Sequence, residues 1–507
     1  MMANTNIPGM ALSQLLSGFA VEESVPSIRI SDIASNSVNV TANSAFIALP
    51  GIKSNGIDYA IDAVKAGAVA VIYDAADEYS LQRIPLLRKQ VETCWIGVDD
   101  LERANGHIVS RFFGDPGQAM TIVGVTGTDG KSSVVHLVTQ ALTRIGKSCA
   151  SIGTLGYGIG NKLTPDSLTT PDAVSLQARL HQFRQQRCEY VVMEVSSHAL
   201  EQYRVNGCDF DIAVLTNLGR DHLDYHGDLD SYAAAKARLF HDFELSGRVV
   251  NIDDSFGQAL SRSVEKDSLL RYSVETEAGR EAEVKLISSE LTASGINIRA
   301  STPLGEVTAV TALLGHFNIE NTLACIATLV ALGLDHKQLE LAVKDLKPIP
   351  GRMEKFIGQP GSASAVVDFA HTEQALRACL AACRQHTSGL LWCVFGCGGD
   401  RDQGKRSGMG RAVEELADRM IITDDNPRNE SPQKIVSEII AGMKRPGQAC
   451  IVHNRQAAIE YAISQAAPED LVVIAGKGHE QEQIVGNERR PFCDRHVVSR
   501  ILQVDHD

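Results

Sequence analysis

The chain has 507 residues, 44% hydrophobic and 22% charged, with a formal net charge of −14. That length suggests about three domains with ample material for packed cores. The acidic surplus argues against a nucleic-acid surface, which carries a basic stripe, and no apolar run reaches the roughly 18–20 residues of a membrane helix.

Residues 1–24 lack a basic leader region and read as a first helix rather than a signal peptide. Short β-like runs follow at 44–49 (SAFIAL) and 68–74 (AVAVIYD), with a helical stretch between them. The Gly, Pro and Gly of 111–120 predict a linker. From Met120 a continuous apolar strand, TIVGVT, leads through a glycine-rich turn into the helical pattern SSVVHLVTQALTRIG. Further apolar strands are expected at 190–195 and 210–217. Such strands alternating with helices indicate a mainly parallel sheet covered on both faces. Residues 276–313 alternate in polarity instead, which predicts an antiparallel insert. LKPIPGR (346–352) marks a second boundary, beyond which SAVVDFA, LLWCVFG, RMIITDD and DLVVIAG predict another α/β unit. The expected organisation is three α/β domains, 1–112, 113–347 and 348–507.

Eleven scattered cysteines form no Cys-x-x-Cys pair, which fits bystander thiols in a reducing compartment. Zinc at Cys393 and Cys397 is the lesser alternative. If the substrates are anionic, cations must gather locally; Lys131, Arg204, Arg352, Lys405 and Arg406 each sit beside a turn motif.

A strand, then Gly127-Thr128-Asp129-Gly130-Lys131-Ser132-Ser133, then a helix, is the context of a phosphate loop. Glycines let backbone N–H groups face phosphate oxygens, the helix dipole favours anions and Lys131 adds a charge. Ser132 or Ser133 can bind Mg²⁺. The spacing departs from GxxxxGK[ST], because Val125 stands where the first glycine belongs. Phosphoryl transfer needs a divalent cation, and two later strand ends offer ligands, Glu194 and His222. Ligands bind at the carboxyl ends of strands in open α/β sheets.

TGTDGKSS, MEVSSHAL, TNLGRDHLDYHGDLDSYAAAK and GHFNIENTLA, in this order, resemble the Mur ligases, three-domain ATP-dependent amide-forming enzymes of peptidoglycan precursor synthesis. FGCGGDRDQGKR (395–406), DNPR (425–428) and GKGHE (476–480) are similar to the diaminopimelate-adding type; the resemblance covers roughly residues 117–500. It implies an N-terminal uridine-nucleotide domain, a central P-loop ATPase-like parallel sheet and a C-terminal Rossmann-like domain. The implied reaction phosphorylates the D-glutamate γ-carboxylate of UDP-N-acetylmuramoyl-L-alanyl-D-glutamate with ATP, and the diaminopimelate amine then displaces phosphate.

By the resemblance, Gly127 to Ser133 hold ATP phosphates, with Lys131 on the β/γ groups. Ser132, Glu194, His222 and Lys236, the last as an N6-carbamate, hold Mg²⁺. Asn318 and Asn321 contact adenine, and Arg352, Asp368 and His371 contact the nucleotide. Ser35, Thr169, Thr170, Ser196, Gln202 and Arg204 hold the UDP-muramoyl dipeptide. Arg401, Asp425, Asn426, Pro427, Arg428, Gly476 and Glu480 take diaminopimelate. Arg428 suits the distal carboxylate, because its planar fork binds carboxylate bidentately. A cytoplasmic monomer acting on small molecules is expected, without nucleic acid or membrane insertion.

Three features depart from the family pattern. Ala34-Ser35-Asn36 stands where relatives carry Asp-Ser-Arg, GIKSNGIDYA differs from the usual next loop, and Asp129 replaces Asn. GCGG also matches part of a dinucleotide fingerprint but lacks its third glycine. The competing readings are a lysine-adding or folylpolyglutamate-type ligase, against which DNPR and the TTPD segment (169–172) argue, and a nucleotide-binding regulator without catalysis.

Overall fold

The computed structural model describes residues 9–22, 24–51, 54–275 and 281–504. The chain forms two compact units, Met1–Val284 with Ala324–Asp335, and Lys285–Leu323 with His336–Asp507.

The first unit holds a four-stranded parallel sheet and the parallel part of a larger one. Asp32–Ala34, Ser44–Ala48, Ala68–Asp74 and Cys94–Val98 lie side by side in that order, all parallel. Helices Ala60–Ala66 and Leu101–Phe112 bury apolar faces against them, with Ile72, Ile96, Leu101 and Ile108 among the core residues. In the second sheet Cys149–Gly153, Tyr190–Glu194, Thr121–Thr126, Ile212–Leu215, Gly247–Asn251 and Leu269–Ser273 are parallel neighbours. Their residues are apolar on both faces, as strands sandwiched by helices must be. Tyr190–Glu194 and Ile212–Leu215 flank Thr121–Thr126, so the chain end of each opens beside the phosphate loop.

The expected first helix is only Leu12–Leu15. Met10–Ala11 pairs with Arg29–Ile30 instead, and Gly18 turns into left-handed backbone at φ 82 soon after the helix. Met1 to Pro8 of that expectation lie outside the described residues. The expected linker is packed: helix Leu101–Phe112 runs into it, and Pro116 and Gly117 of its short 3₁₀ turn are buried.

In the second unit Val284–Thr292, Gly295–Thr302 and Gly305–Thr311 form the antiparallel insert read from the alternation. The other sheet runs Glu354–Phe356, Ser364–Asp368, Leu471–Ala475, Leu391–Phe395, Arg419–Ile422, Ala449–Ile451; all but the first are parallel. Helices Glu373–Arg384, Lys405–Leu416 and Pro432–Ile440 cover one face through Leu376, Leu380, Met409, Val413 and Ile439. Among the described residues no helix is long and apolar enough to cross a membrane.

Candidate active site

Strand Thr121–Thr126 ends at Gly127, where φ is 148 and a Cβ would lie 1.8 Å from Thr216 Oγ1. Only glycine fits there. Helix Lys131–Arg144 follows Gly130. The loop between is braced by the neighbouring strand end: Asp129 N–H donates to Asn217 Oδ1 (2.9 Å), Thr216 Oγ1 donates to Asp129 O (2.6 Å), and Gly219 N–H donates to Thr128 Oγ1 (2.7 Å). Asp129 is exposed.

Two lysines converge on one carbonyl. Lys131 Nζ donates to Gly127 O (2.9 Å) and Thr128 O (2.8 Å), and Lys236 Nζ donates to Gly127 O (2.7 Å). Lys236 sits on helix Leu229–His241, is 1% exposed, and lies 4.3 Å from the Tyr232 ring centroid. Burial, then the Lys131 charge, brings its ammonium down to about 6, so the amine is mainly neutral at neutral pH. Burial also lowers Lys131, against the pull of Glu194, Asp129 and Asp221.

Glu194 closes the next strand and is 2% exposed. Its Oε1 accepts from Ser132 Oγ (2.8 Å) and Thr154 N–H (2.8 Å), and its Oε2 accepts from Thr154 Oγ1 (3.2 Å). Thr154 and Thr169 hydroxyls are 3.0 Å apart. Thr170 Oγ1 donates to Glu194 O (2.8 Å) and accepts from Ser196 N–H (3.0 Å). Arg204 donates to Thr170 O (3.2 Å) and, through Nε, to Gln202 Oε1 (2.8 Å). Thus Thr169 reaches the Glu194 carboxylate through Thr154, while Thr170, Ser196, Gln202 and Arg204 form a network on the Glu194 carbonyl. Thr154 is the member that sequence reasoning missed; it carries no motif, only a position after strand Cys149–Gly153.

His222 is the outlying member. Its ring centroid lies 4.8 Å from His198 and 6.2 Å from Tyr232, its side chain is 49% exposed, and Asp221 is 3.5 Å away. Among the described residues no three His, Cys, Asp or Glu side chains gather as a metal cluster, at Cys393 and Cys397 or elsewhere. Ser132 and Glu194 offer hard oxygens beside the phosphate loop. That donor set fits Mg²⁺, which takes most of its ligands from water and phosphate.

Ser35 is half-buried directly after strand Asp32–Ala34. Ile52 and Lys53 of the divergent loop lie outside the described residues.

In the second unit, Asp368 is largely committed to backbone. Its Oδ2 accepts from Met353 N–H (2.8 Å) and its Oδ1 from Ala370 N–H (2.8 Å). Arg352 lies over the Phe369 ring (4.5 Å), which also meets the rings of His371 (4.7 Å) and His479 (5.2 Å). Asn318 Nδ2 donates to Leu314 O (2.8 Å) and Asn321 Nδ2 to Asn318 Oδ1 (2.9 Å), at the start of helix Phe317–Ala331.

The DNPR loop follows strand Arg419–Ile422. A Cβ on Gly399 would lie 1.9 Å from Pro427 O, and one on Gly396 2.2 Å from Thr423 O. These glycines of the GCGG run therefore let two loops touch, which accounts for the partial dinucleotide pattern. Arg428, at φ 51, donates through Nη1 to Gly399 O (2.8 Å) and Asn426 O (3.5 Å). Among the described residues no carboxylate pairs with it. Exposed Arg401 lies close by: a Cβ on Gly398 would be 3.0 Å from Arg428 Nη1 and 3.9 Å from Arg401 Cγ. Asp425 Oδ1 accepts the Asn426 N–H (2.7 Å), and a Cβ on Gly476 would lie 2.7 Å from Asp425 Oδ2. Glu480 Oε2 accepts from Lys477 Nζ (2.7 Å) and Asn426 Nδ2 (3.0 Å), while Lys477 also reaches Asn426 Oδ1 (3.0 Å). Lys477 is wholly buried. It lies inside the GKGHE motif, yet its part in aiming Glu480 depends on a contact 51 residues away, to Asn426.

Arg406 corrects one expectation. It is fully buried, bonded to Glu430 (2.9 Å), Glu438 and Gly398 O (3.1 Å), so it braces the fold rather than serving as a free cation. Its guanidinium holds the Glu430 carboxyl down to about 2.

Comparison with known proteins bears on the whole chain. Residues 29–112 match the family model "Mur ligase family, catalytic domain", 125–329 "Mur ligase middle domain" and 351–478 "Mur ligase, glutamate ligase domain". The UDP-N-acetylmuramoyl-L-alanyl-D-glutamate--2,6-diaminopimelate ligase of Alkalilimnicola ehrlichii is 45% identical over 93% of this chain and 95% of its own length. The protein of that name from Pseudomonas putida is 42% identical over 97% and 98%. A solved structure of a ligase of that name, at 33% identity, superposes with a TM-score of 0.75, covering 98% of this chain and 99% of the other. The chain belongs to the Mur ligase family of ATP-dependent, amide-forming enzymes.

Proposed function

We propose that this protein joins meso-2,6-diaminopimelate to the D-glutamate γ-carboxylate of UDP-N-acetylmuramoyl-L-alanyl-D-glutamate, acting as a cytoplasmic monomer with domains 1–112, 113–347 and 348–507. A carboxylate oxygen attacks the γ-phosphorus of ATP and ADP leaves. The amine then attacks the acyl-phosphate carbon, phosphate leaves with the C–O electron pair, and the amine loses a proton to water. Both steps depend mainly on positioning and charge neutralisation.

Residues Gly127 to Ser133 take the ATP phosphates, and Lys131 leaves its carbonyl partners for phosphate oxygens. Ser132, Glu194, His222 and carbamoylated Lys236 would hold Mg²⁺, which neutralises phosphate charge when bound. A carbamate forms only from a neutral amine, and the burial of Lys236 favours that form. Asn318, Asn321, Arg352, Asp368 and His371 hold the nucleoside side of ATP, Asp368 by fixing the backbone of its neighbours. Thr169, Thr170, Ser196, Gln202 and Arg204 hold the muramoyl dipeptide, and Ser35 the uridine end.

The observation that carries the reading is Arg428. Among the described residues its guanidinium donates only to carbonyl oxygens, so a charge is left for a carboxylate to complete. The distal carboxylate of diaminopimelate supplies one and L-lysine does not. Arg401, Asp425, Asn426, Pro427 and Gly476 shape the same pocket, and the open Glu480 Oε1 takes the distal ammonium. The test is competition between the two amines in the purified enzyme: a kcat/KM ratio near one rejects diaminopimelate selectivity.

A further inference from the structure

His386 follows helix Glu373–Arg384 and belongs to none of the motifs above, yet it is only 5% exposed. Both ring nitrogens are engaged by backbone. Nε2 lies 2.9 Å from Gly315 N, which can only donate, so Nε2 accepts. Nδ1 lies 2.8 Å from Thr292 O, which can only accept, so Nδ1 carries the proton. The ring is therefore neutral and of one tautomer. It ties the turn between strands Val284–Thr292 and Gly295–Thr302 to the loop at Gly315.

That loop leads directly into the two asparagines. Gly315 has φ 82, and a Cβ there would lie 2.7 Å from the Phe317 ring and 2.9 Å from Ala382 Cβ. Its carbonyl accepts the Asn318 N–H at 3.0 Å. Asn318 Nδ2 reaches back to Leu314 O, and Asn321 Nδ2 rests on Asn318 Oδ1. A continuous chain of bonds thus runs from the imidazole to both side-chain amides.

We infer that His386 is a positioning residue for ATP, holding Gly315 so that Asn318 and Asn321 meet the nucleobase, and that its protonation releases this hold. The inference rests on the proposed role of the two asparagines. A doubly protonated ring has no acceptor for the Gly315 N–H, so that bond becomes a donor–donor contact. Burial holds the imidazole below the ordinary histidine range, and the Lys355 charge on strand Glu354–Phe356 acts the same way; the Thr292 carbonyl opposes both. Cys383 and Arg384 end the preceding helix, exposed His316 stands in the Gly315 loop, and the turn 292–295 carries no titratable side chain. The folded-state value is depressed, so the link is intact above the ordinary histidine value and is lost as pH falls through the depressed one.

The experiment measures KM for ATP and for diaminopimelate in the full-length enzyme, at roughly pH 7.5 and roughly pH 5.5, on either side of the ordinary histidine value of about 6.5. The parent should show a KM for ATP that rises several-fold at the lower pH, beyond any rise for diaminopimelate. His386→Ala should raise KM for ATP about tenfold already at the higher pH, consistent with about 1.4 kcal/mol for lost hydrogen bonding. His386→Gln offers one acceptor and one donor but no titration. It should restore KM for ATP to within about twofold at the higher pH and make its rise at the lower pH smaller than the parent's, leaving only the part that follows loss of the Lys236 carbamate. Thermal melts of each variant establish folding. A His386→Gln enzyme that is folded and keeps the parent's pH dependence overturns the inference, as does an Ala variant whose two KM values rise equally. Asn318→Ala separates the two claims: an unchanged KM for ATP there rejects the proposed asparagine role itself, whereas a raised one beside an unchanged KM for ATP in His386→Ala rejects only the role of His386.

Discussion

Lys131 and Lys236, 105 residues apart in sequence, donate to the same oxygen, the Gly127 carbonyl, at 2.9 and 2.7 Å. Two ammonium groups on one acceptor repel, and Lys236 yields: its burial is the larger cause and the Lys131 charge the next. Carbamoylation would turn the repulsion into an attraction between a cation and an anion. Incubation with ¹³C-bicarbonate should give a carbamate carbon signal at neutral pH that is absent in Lys236→Ala. The signal should fade as pH falls through about 6, where the amine becomes charged.

Lys236→Ala should lose at least about 100-fold in kcat, the scale of one preorganised electrostatic group, and short carboxylic acids should restore part of it. Unchanged kcat in the Ala variant excludes a carbamate role.

Lys131→Met should reduce kcat about 100- to 1,000-fold, because in the proposed role the removed charge acts on phosphates during transfer. The thermal midpoint should change little, since among the described residues the hydrogen bonds of Lys131 Nζ run to carbonyl oxygens alone. Steady-state kinetics with a parallel melt checks both.

Thr154→Val removes a hydroxyl shared by Glu194 and Thr169. Losing about 1–2 kcal/mol of hydrogen bonding should lower kcat/KM for the muramoyl nucleotide roughly 5- to 30-fold. KM for diaminopimelate is the control that should stay put.

How far these residues could be read from the sequence depends on how local their geometry is. The glycine-rich loop and the place of Glu194 at a strand end were legible because a strand, a turn and a helix start are set within a dozen residues, whereas DNPR was read through the resemblance. Thr154, Lys477 and His386 were not, because each acts through a backbone or side-chain partner tens of residues away. Arg406 looked like a free cation because its acid partners, Glu430 and Glu438, come from another segment. The sheets were legible from continuous apolar runs and the insert from alternation. The first helix was overextended because Leu12, Leu15 and Leu16 share helical spacing, whereas Gly18 and the pairing of Met10–Ala11 limit it.

Arg406→Ala should destabilise the fold by about 3 kcal/mol or more, because it strands two carboxylates around a buried site. Denaturant unfolding measures this, and a stability equal to the parent would contradict the bracing role.

Arg428→Ala should raise KM for diaminopimelate roughly 10- to 100-fold, the equivalent of about 1.5–3 kcal/mol for a charge-assisted bond at a half-buried site. KM for ATP should hold. The most direct measurement is phosphate release by the parent enzyme given ATP and UDP-N-acetylmuramoyl-L-alanyl-D-glutamate, with meso-diaminopimelate, L-lysine or no amine. Release that needs both acceptor and amine, and favours diaminopimelate at least about 100-fold in kcat/KM, is the expected result. Equal use of the two amines, or no amine-dependent release at all, would contradict it.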